Sequence, residues 1–383
     1  MTRLRPLVLL LILCLGAGAL TYGRGGAVEQ ASTRPPGATY KGQAFTFNKI
    51  TEGVYHAVGT GNLTVMSNAT VIEGDTDVLV VDTQVSPGGA WALREELKAI
   101  TPKPIRWVVN SHYHFDHSHG NQIYGPDVEI IGHEFARQQI LAGKSEDSPA
   151  REFYVGGIPN TIKSLEARLA AATDDKARAT IQGQLEVQRT FLEGTNAVKP
   201  TPPTITLTQT MTLHRGSREI RLLFLGRGHT AGDIVAWYDR HKVLFAGDLV
   251  EAQAALYTGD AFHRDWVGDT LDRVKALRAE ALVGGRGAVA RGTAACDAAI
   301  EQTREFLHGM IDEVGAVHGR QGTLRDAFAA THAKLAPKFG RWPIFEHCLP
   351  FNVQRLWDEL DGVDWPHIWT MERDREVWAR LQG

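Results

Sequence analysis

Cysteine is scarce in this chain: three occur in 383 residues, at positions 14, 296 and 348. So few, and so far apart, they exclude a disulfide framework and a thiolate metal site. Cys296 and Cys348 offer one bridge in an oxidising compartment, and two buried thiols is an equally good reading. A charge excess is also absent. With 41 basic and 44 acidic residues the formal net charge is -3, so no basic field exists to hold a nucleic-acid backbone. No short-period repeat is present, and no apolar run beyond the N-terminus is long enough for a stable membrane span. What is there is ordinary globular material, 43% hydrophobic and 22% charged. That is enough to bury one large core with additions, and the partner to expect is a small molecule.

The first residues differ in kind. "MTRLRP" carries two arginines, an apolar run from Leu7 to Leu20 follows, and Ala17 and Ala19 give the small-x-small pattern of a cleavage site. Residues 1–20 therefore read as an export signal, too short for the roughly twenty apolar residues of a spanning helix. Cys14 follows Leu13 rather than a small residue, which argues against lipidation. The mature chain is expected outside the cytoplasm, periplasmic or secreted. Residues 21–42, rich in Gly, Pro, Ser and Thr, read as a flexible leader.

From residue 43 the pattern alternates strand and helix. "ATVIEGDTDVLVVDT" is a hairpin around a Gly-Asp turn; Ser86 and Pro87 open a helix bearing Leu93, Leu97 and Ile100; "PIRWVV" is the next strand. A second series follows. "TITLTQTMTLHRGSREIRLLFLG" reads as two strands around "RGSR", "IVAWYDRHKVLFAGD" as two around "DRHK", Thr270 as a helix cap, and "ALVGGRG" as a last strand. Two such halves predict a two-sheet core with helices outside, spanning 43–292. Between them, stripes at Ile162, Leu165 and Leu169 and at Ala177, Ile181, Leu185 and Leu192 predict a helical hairpin over about 160–194, a lid or wall for a site. Residues 293–383 read as helical, with "PIFEHCLPF" as an apolar connector and His347 a structural residue.

At the end of "PIRWVV" stands "NSHYHFDH", and turn chemistry does not call for imidazoles. His112 and His114, two apart in an extended segment, point the same way and can share a cation; Asp116 and His117 can serve a second. Neutral imidazole with carboxylate is the ligand set of zinc, with manganese and iron also compatible. "GRGHTAGD" and "VLFAGD" bring His229 and Asp248 to the ends of other strands. A lone histidine, such as His56, His133, His214 or His367, is ordinarily a satisfied polar group. Four ligand-type residues at fixed spacing, backed by two distant partners, are not.

These residues resemble the metallo-β-lactamase superfamily: "HYHFDH" is similar to its H-x-H-x-D-H motif, and "GHT" and "GD" resemble the two that follow. The resemblance implies an α/β (α+β) fold, the αββα metallo-β-lactamase sandwich, here with a helical insertion and a helical C-terminal extension. It implies a first zinc on His112, His114 and His229, a second on Asp116 and His117, Asp248 between them, and Asp82 orienting ligands rather than binding metal. One position departs. Where the superfamily shows a P-G-H-G turn this chain has "VGGRGA", with Arg286 in the histidine's place. A guanidinium has no lone pair to give a metal, so the number of ions, one or two, turns on this residue. Arg286 can point inward and pair with Asp116 or Asp248, or point outward to clamp an anion, with His263 as a substitute ligand. His119 lies beside the motif without belonging to it.

The implied chemistry is hydrolysis by a metal-activated water, with Asp248 and Asp116 handling the water and its proton. An ester, amide, lactone, thioester or sulfate ester are all open as substrates, and the fold's name does not make this a β-lactamase. A redox relative would carry a carboxylate in place of His114 and a flavin domain, and a nuclease would carry basic surface; neither feature is present. A non-catalytic exported binding protein with a degraded second metal site remains the alternative.

Overall fold

The computed structural model describes residues 33–146 and 149–382. The expected export signal and the first part of the leader lie outside the described residues. Residues 33–42 are not a loose leader: Ala38 is fully buried, and the Thr39 carbonyl accepts from the Thr190 hydroxyl at 3.1 Å. Gly37 makes this possible. At φ 77, its missing Cβ would sit 2.3 Å from the Cα of Gly194, so the segment docks where a side chain could not.

Seven strands form the first sheet in sequence order: β1 (Phe45–Thr51), β2 (Val54–Gly59), β3 (Ala69–Glu73), β4 (Val78–Val81), β5 (Ile105–Val109), β6 (Glu129–His133) and β7 (Ile205–Leu207). β1 to β4 pair antiparallel and β4 to β7 parallel. The second sheet runs in the order β13-β12-β11-β10-β9-β8, from β8 (Thr210–Arg215), β9 (Arg218–Phe224), β10 (Ile234–Tyr238), β11 (Val243–Gly247), β12 (Ala281–Gly284) and β13 (Ala290–Arg291). The stretch expected as two strands around "RGSR" is therefore three, and the first, β7, joins the opposite sheet. Alternation marks a strand but not its partner.

Period-two patterning gives each sheet two apolar faces, and the inner faces meet in one layer: Ile72, Val81 and Ile131 from the first sheet pack with Leu222, Ala236 and Phe245 from the second. The outer face of the first sheet is covered by α1 (Pro87–Leu97). Ser86 caps it by accepting from the Gly89 N–H at 3.1 Å, and Leu93 and Leu97 are buried. Ile100 falls beyond its end and is exposed. Two short helices, α2 (Phe115–Ser118) and α3 (Glu134–Leu141), follow β5 and β6. The result is the helix-sheet-sheet-helix sandwich expected.

The insertion is a hairpin of α4 (Pro149–Ala171) and α5 (Asp175–Asn196). It starts well before residue 160 because the helix runs through Gly156, Gly157 and Pro159, which sequence logic takes as breakers. Leu165, Ile181 and Leu185 join its two helices, while Ile158 and Phe191 pack on Val85, after β4, and on Phe115 of α2. After α6 (His263–Asp265), the helices α7 (Leu271–Ala276), α8 (Thr293–Gly319), α9 (Leu324–Phe339), α10 (Phe345–Leu360) and α11 (Met371–Gln382) join the second sheet's outer face in one apolar cluster. Thr270 does not cap α7. It lies in a single π turn, and its hydroxyl donates to the Arg227 carbonyl at 2.7 Å. Cys296 and Cys348 are both free and buried, so no bridge forms. Among the described residues no helix is long and apolar enough to cross a membrane.

Candidate metal centre

The expected site residues all leave the C-terminal ends of strands at one edge of the sandwich. Asp82 follows β4, the histidine motif follows β5, His229 follows β9, Asp248 follows β11, and Arg286 follows β12. The β5 loop is braced from behind by a buried amide pair. Asn110 Nδ2 donates to Asn121 Oδ1 at 3.0 Å and to the His117 carbonyl at 3.2 Å, and Asn121 Nδ2 returns a bond to Asn110 Oδ1 at 2.8 Å. Polar pairs satisfied this way fix a loop without leaving a costly orphan.

His112, His114 and His229 converge: His114 Nδ1 lies 3.0 Å from His112 Nε2 and 2.9 Å from His229 Nε2. The far nitrogen of each ring decides what these three atoms carry. His229 Nδ1 is 2.9 Å from the Tyr257 carbonyl, which can only accept, so that nitrogen holds the proton. His114 Nε2 donates to Asp260 Oδ2 at 3.0 Å. Ser111 gives its own hydroxyl proton to Asp82 Oδ2 at 2.8 Å, so it receives one from His112 Nδ1 at 3.0 Å. All three converging nitrogens are thus bare lone pairs in a site at most 6% exposed, an arrangement that repels itself unless a cation sits among them. The donor set fits a metal ion.

A second ligand group joins it. His112, His117 and Asp248 also offer three ligand atoms close enough to hold an ion. Asp82 touches no such centre; its Oδ2 accepts from His117 Nδ1 at 2.8 Å and its Oδ1 from the Ser111 N–H at 2.8 Å, orienting the His117 ring directly and the His112 ring through the Ser111 hydroxyl. It does so from φ 63, a left-handed conformation that is uncommon outside glycine and that aspartate tolerates better than most residues.

Arg286 points inward. Its Nη1 donates to Asp248 Oδ2 and to Glu251 Oε1, each at 2.6 Å, and its Nη2 pairs with Asp116 Oδ2. Asp116 and Asp248 are therefore bound to a guanidinium. The loop that carries Arg286 is fixed by Asn68, whose Nδ2 donates to the carbonyls of Gly284 and Gly287, both at 3.0 Å. Gly285 is needed beside it, since a Cβ there would stand 1.9 Å from Asp248 Oδ1.

Electrostatics follow this geometry. Burial and the like charges of His117, His114 and His229 hold His112 well below the usual imidazole range. Burial, then His114, lowers His229 to about 3. Burial works against ionised Asp248 and Asp116, but Arg286 and His117 outweigh it and hold both below the usual carboxylate range. Glu251 is pushed well above it by burial and by Asp248. For His117 burial opposes the charge, and Asp248, Asp116 and Asp82 overcome it, raising the ring well above its ordinary value.

His263 is not brought to this cluster: its ring meets Thr258 Oγ1 at 2.9 Å and Glu359 Oε1 at 3.3 Å, a fully buried structural role. His119 is buried at the end of α2 and belongs to neither ligand group. Sequence reasoning missed Asp260, Glu251 and Tyr257, single residues in loops with no spacing to betray them. It also set His347 aside as structural, whereas His347, Ile344 and Cys348 line the cavity in front of the site.

A model of the metallo-beta-lactamase superfamily matches residues 63–127 and 135–286, more than half of the chain. Of curated proteins, the 2,4-dinitroanisole O-demethylase subunit alpha of Nocardioides sp. (strain JS1661) is 33% identical over 111 residues, 28% of this chain and 30% of that one. The chain thus aligns with under a third of that relative's length. Of solved structures, the stereoselective inverting sec-alkylsulfatase Pisa1 from Pseudomonas sp. superposes with a TM-score of 0.59 at 16% identity, over 82% of this chain and 50% of that one. A metallo-beta-lactamase from Pontibacter korlensis gives a TM-score of 0.48 at 17% identity, over 69% and 99%. With the matched region carrying every residue of the centre from Asp82 to Arg286, the chain belongs to the metallo-beta-lactamase superfamily.

Proposed function

We propose that this protein is an exported hydrolase that works with one metal ion, zinc by its ligand set, held by His112, His114 and His229, with Arg286 standing where a second ion would be. The observation that carries this reading is the meeting of three bare imidazole nitrogens beside a guanidinium already bound by Asp116 and Asp248. When bound, the metal supplies an acidified water and a Lewis acid for the attacked oxygen. The chain's residues do the rest. Asp248 Oδ2 lies 3.6 Å from His229 Nε2 and 3.9 Å from His112 Nε2, so its carboxylate borders the triad. Its Oδ1 is buried 3.3 Å from His117 Nε2, and in this reading it also accepts from the attacking water. Asp116, on the cavity wall, takes the proton onward to the leaving group. Arg286 keeps both carboxylates ionised for this task, and Asp260, through His114, and Asp82, through His117, keep the rings aimed.

The test has two arms. Elemental analysis of the purified protein after dialysis against a weak chelator should give about one zinc per chain, and Arg286→His should raise it towards two. Two tightly held ions in the wild type would refute the assignment of Arg286. The second arm is a turnover panel of 4-nitrophenyl acetate, a lactone, a β-lactam, 4-nitrophenyl sulfate and, because of the relative's name, 2,4-dinitroanisole. A metal-loaded protein inert towards all of them favours the alternative, a binding protein. Export is tested by sequencing the N-terminus of protein recovered outside the cytoplasm, which should begin near residue 21.

A further inference from the structure

The cavity in front of the centre has a volume of about 280 Å³, near the bottom of the range of roughly 300–1,000 Å³ that admits drug-sized ligands. Its floor is the ligand cluster. Val65, Met66, Phe115, Tyr257, Ile344 and His347 line the rest of it. Apart from the metal, the side chains of this lining offer an anion nothing: Asp116 and Asp248 are carboxylates, and Arg286 is engaged by Asp116, Asp248 and Glu251. Burial lowers the His347 ring below its ordinary value, so it adds no cation near neutral pH.

The wall from the C-terminal extension is held at a conformational cost. Ile344, the residue before α10, sits at φ 63 and ψ 0, a left-handed conformation that a β-branched side chain rarely adopts. Strain of this kind persists only where surrounding contacts impose it, and here they are visible. The Pro343 carbonyl accepts from the Ala255 N–H at 3.2 Å, and the Ile344 carbonyl accepts from the Cys348 N–H at 2.9 Å. The first bond ties the turn to the segment that carries Tyr257 and Asp260. The chain accepts the strained turn and thereby closes the cavity.

We propose that the Pro343–Ile344 turn is a specificity wall that fits the site to a compact, uncharged, apolar substrate, an aryl or short-chain ester or lactone, and turns away sulfate esters and other anions. This rests on the metal-hydrolase reading above, so the test uses ligands that cannot be hydrolysed. Acetophenone and benzenesulfonate are of similar size, one neutral and one anionic, and their affinities for the zinc-loaded full chain are measured by calorimetry or ligand-observed NMR. Acetophenone should bind at least tenfold more tightly than benzenesulfonate. Ile344→Trp, filling the cavity, should weaken acetophenone at least fivefold. Ile344→Gly suits the left-handed backbone and keeps the fold; it should bind valerophenone at least fivefold more tightly than the wild type does. Equal or tighter binding of benzenesulfonate, no binding of acetophenone, or affinities that neither substitution alters would each overturn the proposal. If the binding pattern holds while the turnover panel is silent, the wall stands and the hydrolase reading falls.

Discussion

Gly285→Ala isolates the tightest approach in the centre. The glycine is not in the left-handed region, so alanine brings no backbone strain there; it brings one methyl group. That methyl would lie 1.9 Å from Asp248 Oδ1 and 2.9 Å from His117 Cε1, whereas an ordinary contact begins at 3.4 Å. The carboxylate must therefore retreat by roughly 1.5 Å in a core too densely packed to absorb the shift elsewhere. Asp248 Oδ2 cannot then keep its 2.6 Å bond to Arg286. Losing one charge-assisted hydrogen bond costs about 1.5–3 kcal/mol, and a misplacement of about 1 Å at reacting groups costs on the order of 100-fold in rate. The variant should show a lowered thermal midpoint, zinc affinity weakened at least tenfold by competition with a chelating dye, and loss of any turnover found in the wild type. Gly183→Ala is the control, because the added carbon meets nothing within 4 Å on α5 and should be neutral or slightly stabilising. Zinc affinity within twofold of wild type in Gly285→Ala would refute the close-approach argument.

Four other substitutions probe the same assembly. His112→Ala removes one of three converging lone pairs and should strip most of the zinc, read by elemental analysis. Asp260→Ala leaves the His114 ring unoriented and should weaken zinc binding by about 10–100-fold in a chelator competition, with the ligands themselves intact. Phe191→Ala empties a buried position between the hairpin and Phe115; a loss of about 3–5 kcal/mol in denaturant unfolding is expected, and an unchanged midpoint would show that the hairpin is not joined to the core there. Asn121→Ala leaves Asn110 Nδ2 without one of its acceptors and should cost about 1–3 kcal/mol in the same assay.

Local chemistry was the legible part of this fold. The Gly-Asp turn marked the β3–β4 hairpin, and Ser86 with Pro87 marked α1, because each signal acts within a few residues of itself. The ligand motif was legible for the same reason, since cation binding imposes fixed residue types at short spacing. What sequence could not convey was partnership at a distance. β7 reads as a sheet-two strand from its neighbours, yet pairs with β6 across the whole hairpin insertion. Glu251 and Asp260 are single carboxylates in apolar loops, and only the fold brings them to Arg286 and His114. His347 looked structural because its stretch is apolar, and that apolarity is what makes it a cavity wall.

On the one-ion reading, the inward turn of Arg286 weighs against a second cation by electrostatics as well as by ligand count. Its Nη1 is 2.6 Å from Asp248 Oδ2 and its Nη2 pairs with Asp116, so the guanidinium fills the space that those carboxylates would offer a second ion. A divalent ion about 4 Å from it would meet a repulsion on the order of 8 kcal/mol at an effective dielectric constant of 20, twice the value for two unit charges. The carboxylates cannot offset this in full, because Arg286 already engages both Asp116 and Asp248. At the triad the balance is reversed. Asp248 Oδ2 borders His229 Nε2 at 3.6 Å and His112 Nε2 at 3.9 Å, and both rings are held neutral by burial and by the neighbouring imidazoles. Exchanging imidazole for guanidinium therefore does more than delete a ligand: it supplies a cation that holds Asp116 and Asp248 in place whether or not metal is present. On the one-ion reading, the second half of the centre is formed before any ion arrives, and only the first half waits for one.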